Sequence, residues 1–235
     1  EDHVRIQVLC NGMDIQSCFK KANEIDDYID AHFDYAFDEK YGYKTTFPTN
    51  TGTGMKAGYT LHLPSLSDAR RLNDISAELG RFGLKFRTVY GDGQNGYGNL
   101  YQISTQKTLG QDEREVIKDL DDIVLQIVNQ EKEQREHFYK KDKIQMDDEI
   151  YKSYGVLKYA RKLSLKDSMV LISELMTGVS LGVLQFAHNG RYNINELIMD
   201  IQPAVLRQNS GKAMSVAETD VLRAEYIRKY LPEII

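Results

Sequence analysis

Three cations stand where strands would present their polar faces: Arg5, Lys56 and Arg87. In 3–9, Val4, Ile6 and Val8 alternate with His3, Arg5 and Gln7. In 55–63, Met55, Ala57, Tyr59 and Leu61 oppose Lys56, Gly58, Thr60 and His62, and in 84–90 Leu84, Phe86 and Tyr90 oppose Lys85, Arg87 and Val89. If these strands are neighbours, one sheet surface carries all three charges. Such a surface suits a polyphosphate, whose oxygens accept the cations' hydrogen bonds while its charge is neutralised. An ordinary solvated sheet face gives the same alternation, so the pattern leaves both readings open.

Two glycine-rich loops adjoin these strands. Pro48-Thr49-Asn50-Thr51-Gly52-Thr53-Gly54 leads into the strand with Lys56, and Tyr90-Gly91-Asp92-Gly93 follows the strand with Arg87. Glycine lets backbone amides come close to a phosphate. Neither loop has the spacing of GxxxxGK[ST] or GxGxxG, and plain turns between strands look similar. Glu1, four residues before Arg5 and on the same face of that expected strand, and Asp92 are the candidate carboxylates near the cations; a pair of acids can hold a guanidinium through bidentate bonds and take its proton. A surface acid at a chain end is the alternative for Glu1. His3 and His62 fall on the polar faces, where a satisfied or exposed imidazole is the ordinary case.

Positioning these groups requires an α+β fold. A fourth strand is expected at 100–105, with helices at 15–33 and from Ser67-Asp68 to Arg81. From Gln111 the character changes: Val116, Leu120, Ile123, Val124, Ile127 and Val128 recur at helical spacing to about Glu136, starting near Asp112. The charged run 131–143 reads as a solvated face or hinge. Short helices follow at 147–161, 165–176, 193–201 and 215–230. This gives a catalytic-type domain over 1–138 with a largely antiparallel sheet flanked by helices, a linker over 139–146, and a small all-helical module over 147–235.

The 235 residues, 41% hydrophobic and 28% charged, can bury a core. A net charge of -5 argues against direct nucleic-acid binding through the overall field. No stretch approaches the roughly 18 apolar residues of a membrane span. Cys10 and Cys18 match no disulfide or zinc spacing and read as plain structural thiols in a reducing cytoplasm.

Several segments, in one order, resemble a known family. Glu1-Asp2-His3-Val4-Arg5-Ile6-Gln7, Pro48-Thr49-Asn50-Thr51-Gly52-Thr53-Gly54-Met55-Lys56-Ala57 and Leu61-His62-Leu63-Pro64 are similar to the catalytic domain of phosphagen (guanidino) kinases. Asp34-Tyr35-Ala36-Phe37, Tyr101-Gln102-Ile103-Ser104, Thr108-Leu109-Gly110 and Leu222-Arg223-Ala224-Glu225-Tyr226 narrow the resemblance to the bacterial protein-arginine kinases. The resemblance implies transfer of the terminal phosphoryl group of ATP, with Mg2+, to arginine side chains of proteins. It places Glu1 and Asp92 as the acids on the substrate guanidinium and Arg5, Lys56 and Arg87 on the nucleotide phosphates. Phe47, Asn50 and Thr53 fall in the substrate loop, and no protein side-chain metal site is implied. It further implies a phosphoarginine pocket containing Asp220 and Arg223, a homodimer joined through the helical module, activator and protease-chaperone partners, and a part in protein quality control.

The chain departs from that family at several positions. Phe47 stands where the family has a cysteine, removing a thiolate from beside the guanidinium. Lys56 replaces an arginine, keeping charge without the fork, and Asp92 replaces a glutamate one methylene longer. In the helical module Thr219-Asp220-Val221-Leu222-Arg223-Ala224 lacks the first arginine of an Arg-Asp-x-x-Arg-Ala motif. The chain opens inside the family's acidic motif without a methionine, so it is expected to be N-terminally incomplete and poorly active by itself. A catalytically weak pseudokinase or adaptor is the alternative function, and a small-guanidine phosphagen kinase is disfavoured by the helical extension. The stripe Leu165, Met169, Ile172 and Met176, with Tyr154, Val156 and Leu157, packs either on its own module or across a dimer interface.

Overall fold

The computed structural model describes residues 3–92, 96–187 and 194–235. Helix α1 (Ile15–Asp30) begins at Asp14, whose carboxylate accepts from the Ser17 amide at 3.2 Å. Two antiparallel strands of two residues follow, β1 (Phe37–Asp38) and β2 (Gly42–Tyr43), too short to show a hydrophobic period. A single 3-10 turn, Pro48–Asn50, leads to β3 (Gly58–His62). After α2 (Pro64–Asp68) and α3 (Leu72–Arg81) come β4 (Leu84–Thr88) and β5 (Leu100–Thr105).

The larger sheet has the order β3-β5-β4. Strands β4 and β5 are antiparallel, with Leu84 opposite Thr105 and Arg87 opposite Gln102. Tyr59, Leu61 and Leu84 are buried, so β3 and β4 adopt the phase their alternation predicts, and on β5 Tyr101 and Ile103 are buried. Helix α3 packs on β4 and buries Ile75 and Leu79.

The expected strand at 3–9 does not form; residues 4–10 are irregular, with Val4 and Leu9 exposed. No described strand pairs with the segment, and extended backbone without a ladder gains nothing from an alternating pattern. Ser67 and Asp68 do not cap a helix to Arg81 but lie inside α2, which starts at Pro64. Arg70, at φ 57°, breaks the chain before α3.

Helix α4 (Glu113–Lys141) starts as the sequence predicts, with the Asp112 carboxylate accepting from the amides of Arg114 at 2.9 Å and Glu115 at 3.1 Å. Its buried stripe runs Ile117, Leu120, Val124, Ile127 and then Glu131. The charged run 131–143 is therefore helical except at Asp142, which caps α5 (Lys143–Tyr159) through the Gln145 amide. Helices α6 (Leu165–Ser180), α7 (Ile194–Asp200), α8 (Pro203–Ser210) and α9 (Val216–Tyr230) complete the fold. Periodicity in the sequence does not reveal α8, whose eight residues are too few for a clear period, although Pro203 opens it and left-handed Gly211 closes it. Ser215 and Glu218 form a reciprocal capping box at α9. No helix among the described residues is long and apolar enough to cross a membrane.

The chain divides into two compact units. The first groups Glu1–Leu61, Arg70–Val89 and Tyr101–Glu131; the second groups His62–Ala69, Tyr90–Leu100 and Lys132–Ile235. In the second, Ile150, Leu157, Met169, Ile172, Leu175, Leu197, Ala224 and Ile227 build one core. Leu165 and Met176 pack against it, so the stripe on α6 is spent within the module. Helices α5 and α6 come so close that a Cβ on Gly178 would lie 2.6 Å from the Ile150 side chain.

The second unit also holds His62 half-buried. Its Nε2 lies 2.8 Å from the Ser173 hydroxyl, which accepts from the Asn99 amide at 3.1 Å. Burial, reinforced by the charge of Arg135, pushes the imidazole pKa down to about 3. Below the ordinary value of 6.5 the unfolded chain takes up a proton that the folded one refuses. Stability contributed by this residue is thus present above pH 6.5 and lost on acidification, by about 2 kcal/mol between pH 7 and 5. Thermal melts of the wild type and His62→Gln across that range check this: the wild type should lose more on acidification, and parallel losses would contradict the assignment.

Candidate active site

The loop 43–56 is fixed before any ligand arrives. Tyr43 and Gly52 exchange backbone hydrogen bonds, Tyr43 N to Gly52 O at 2.8 Å and Gly52 N to Tyr43 O at 3.2 Å. Tyr43 is anchored in turn, its hydroxyl donating to Asp26 of α1 at 2.7 Å while that of Tyr35 donates to the other carboxylate oxygen at 2.9 Å. Burial, with Asp26 alongside, raises the Tyr35 pKa to about 12 and that of Tyr43 further, so both remain protonated donors. Asn50 and Phe47 close the 3-10 turn through Asn50 N to Phe47 O at 2.9 Å. Gly52, at φ 112°, presses against Thr108, and a Cβ there would lie 2.3 Å from the Thr108 carbonyl oxygen.

Within the first unit, the open face of the larger sheet carries Lys56 and Arg87. Lys56 lies just ahead of β3 rather than within it, yet Ala57 still pairs in extended form, its carbonyl accepting from Thr105 N at 2.9 Å. Tyr59 and Leu61 point into the core, so the alternation turns Lys56, Gly58 and Thr60 outward. On β4, Lys85 and Arg87 are the exposed positions. Strand β5 runs between, so the two cations lie two strand spacings apart across the sheet, roughly 9.5 Å, and are further offset along it, because Arg87 is opposite Gln102 whereas Ala57, next to Lys56, bonds Thr105.

Each cation is held by a neutral carboxamide. Lys56 Nζ donates to Asn50 Oδ1 at 2.7 Å and Arg87 Nε to Gln102 Oε1 at 2.7 Å. Among the described residues neither forms an ion pair, so their charges are oriented without being neutralised. That suits an anionic ligand, because an acidic partner would compete with it. Arg5 is exposed in the irregular segment, bonds to no described residue and is not on the sheet. Glu1 lies outside the described residues. Asp92 is exposed in the 90–100 segment of the second unit, where Tyr97 N donates to Tyr90 O at 3.2 Å.

Phe47 is 49% exposed, so its ring stands at the mouth of the loop instead of packing into the core. Thr53 accepts from the Met55 amide at 3.2 Å and donates its own amide to Thr108 O at 3.0 Å. Among the described residues no cluster of three acidic, histidine or cysteine side chains is suited to a metal. The thiols are less plainly structural than their types suggest: Cys10 is exposed, and the half-buried Cys18 thiol contacts it, burial raising its pKa to about 11.

In the helical unit Arg223 is 2% exposed. Its Nη1 donates to Asp220 Oδ1 at 2.6 Å and Leu163 O at 2.9 Å, and its Nε to Ile201 O at 3.0 Å. Thr219 is buried beside it, its hydroxyl donating to Ser215 O at 2.8 Å. Asp220 and Arg223 are thus brought together, with the guanidinium turned inward onto two carbonyls.

Sequence reasoning does not single out Gln102 and Thr108. Both sit in the motifs Tyr101-Gln102-Ile103-Ser104 and Thr108-Leu109-Gly110, but their roles come from cross-strand register and loop contact, which spacing does not reveal.

Residues 1–134 match the family described as ATP:guanido phosphotransferase, C-terminal catalytic domain, and residues 143–234 match the protein-arginine kinase McsB C-terminal domain. The chain is 40% identical over 231 residues to a protein-arginine kinase of Bacillus pumilus, covering 98% of this chain and 63% of that protein. It is 38% identical to one of Caldanaerobacter subterraneus, of which it covers 68%. It thus spans less than two thirds of the Bacillus relative's length. Among solved structures, a duplicated taurocyamine kinase from Schistosoma mansoni aligns with a TM-score of 0.43 at 30% identity, over 49% of this chain and 16% of that one.

Proposed function

Since the chain belongs to the ATP:guanido phosphotransferase family and matches its protein-arginine kinases along nearly its whole length, we propose that it is the larger part of an enzyme that phosphorylates arginine side chains in proteins, using ATP. The observation that carries this reading is the open sheet face, where Lys56 and Arg87 are oriented by Asn50 and Gln102 yet keep their charge for an anion. Magnesium would supply further neutralisation of the phosphates when bound.

An arginine side chain, with a pKa of roughly 12.5 to 13.8, is no nucleophile at neutral pH. Glu1 and Asp92, by their place in the family's motifs, would grip the guanidinium from two sides and orient one nitrogen in line with the γ-phosphorus. As the N–P bond forms and the bond from phosphorus to the bridging oxygen of ADP breaks, a carboxylate takes the proton from that nitrogen. Lys56, Arg87 and Arg5 would meanwhile spread the charge of the moving phosphoryl group. Asn50 and Thr53 would line the substrate side of the loop. The reading is tested by comparing transfer to an arginine-rich protein with transfer to free arginine or creatine; a preference for the free guanidines would move the chain to the small-guanidine kinases.

Phe47 favours a second reading, a weak pseudokinase or adaptor, because an exposed ring stands where the family resemblance implies a cysteine. Phe47→Cys in the full-length protein is expected to raise turnover, since a thiolate beside the cation stabilises charge in a site shielded from water. Unchanged turnover near zero would favour the adaptor.

The division into a catalytic part over 1–138 and a helical part over 147–235 is proposed on the same grounds, as are a cytoplasmic location and activator and protease-chaperone partners within protein quality control. Homodimerisation through the helical unit is supported by side chains its own core leaves out: Tyr151, Val156 and Tyr159 on α5 and Met199 on α7 are exposed, whereas Leu157 is buried. Light scattering is expected to give a dimer; a monomer at high concentration would refute it. A phosphoarginine pocket at Asp220 and Arg223 would require a phosphate to draw the guanidinium away from Leu163 and Ile201.

A further inference from the structure

We propose that Thr108 is a positioning residue for the nucleotide side of the site: its hydroxyl and carbonyl clamp the loop 48–54, and through that loop hold Asn50 and Lys56 in the arrangement that receives phosphate. The inference rests on the kinase reading and concerns a residue that touches neither substrate.

The clamp has three parts, all within the first unit. Thr108 Oγ1 lies 2.7 Å from Thr51 O and 3.1 Å from Thr49 O, sharing its proton between carbonyls on either side of Asn50. Thr108 O accepts from Thr53 N at 3.0 Å. Gly52 fits flat against the same residue, with no room for a side chain. Thr108 is 2% exposed, so its own hydroxyl has no water to fall back on. Asn50 thus stands between two clamped residues, and its side-chain oxygen is the partner of the Lys56 ammonium. A lysine is a point charge on a flexible stem, so a fixed acceptor at its tip decides where that charge rests. Without the hydroxyl, the Thr49 and Thr51 carbonyls lose their donor and the turn Pro48–Asn50 relaxes.

The test compares Thr108→Val, which keeps the shape and deletes the hydroxyl, with Thr108→Ser, which restores it. Measured in the full-length protein, Thr108→Val should lower kcat/KM for ATP by about tenfold to a hundredfold, mainly through KM, while Thr108→Ser stays within about threefold of wild type. A residue that merely supports folding would lower the melting temperature in the valine variant and leave KM for ATP where it was; that result, or equal kinetics in both variants with an active wild type, overturns the proposal. If the wild type neither transfers phosphate nor binds ATP, the kinase reading itself fails. Amide hydrogen exchange at 50–56 then decides the clamp: faster exchange in Thr108→Val but not in Thr108→Ser upholds it, and equal protection in all three proteins removes it.

Discussion

Replacing Arg223 with alanine is expected to destabilise the helical unit by about 3 to 5 kcal/mol, enough to unfold it under mild conditions. The side chain leaves the first turns of α9 and ties together the stretch before α6, at Leu163 O, and the end of α7, at Ile201 O. Asp220, largely buried itself, supplies the countercharge at 2.6 Å. Truncation would leave that carboxylate and two carbonyls without their donor in a site closed to water, and each loss is costly. Lysine should not rescue the variant, because one ammonium cannot reproduce donors directed from both Nε and Nη1. Urea denaturation of the wild type, Arg223→Ala and Arg223→Lys checks this; a loss below about 1 kcal/mol in the alanine variant would show that the network contributes little.

Lys56→Ala and Arg87→Ala are each expected to weaken ATP binding by about 1.5 to 3 kcal/mol per charge-assisted bond, roughly a tenfold to hundredfold rise in Kd. Arg87 should matter more. Its Nε is committed to Gln102, which leaves the two terminal nitrogens facing away from the carboxamide as a fork for two phosphate oxygens. Lys56 offers one point charge, already aimed by Asn50. Because both cations are exposed and lie on one sheet face, their removal should leave the melting temperature nearly unchanged while calorimetry registers the lost affinity. Wild-type affinity in both variants would mean that the face is only solvated.

Strand phase was legible from the residues because burial enforces it: Tyr59, Leu61 and Leu84 had to point inward, which turned Lys56 and Arg87 outward. The same alternation misled at 3–9, where no described strand offers a partner. Local chemistry marked the helix starts at Asp112 and Ser215, but the break at Arg70 depends on a left-handed residue that sequence does not announce. At the site, residue types identified the cations, yet their carboxamide partners arise from register and loop closure. Arg223 is a sharper case: its motif suggested a surface for a phosphate, while the packing turns its guanidinium inward onto Leu163 and Ile201.

The measurement that bears most directly on the kinase reading is the transfer of label from ATP in the full-length protein. With γ-labelled ATP, magnesium and an arginine-rich protein substrate, the expected result is label on arginine that is lost on mild acid treatment and abolished by Asp92→Ala. No acid-labile label at all, while an active protein-arginine kinase labels the same substrate in parallel, would contradict it.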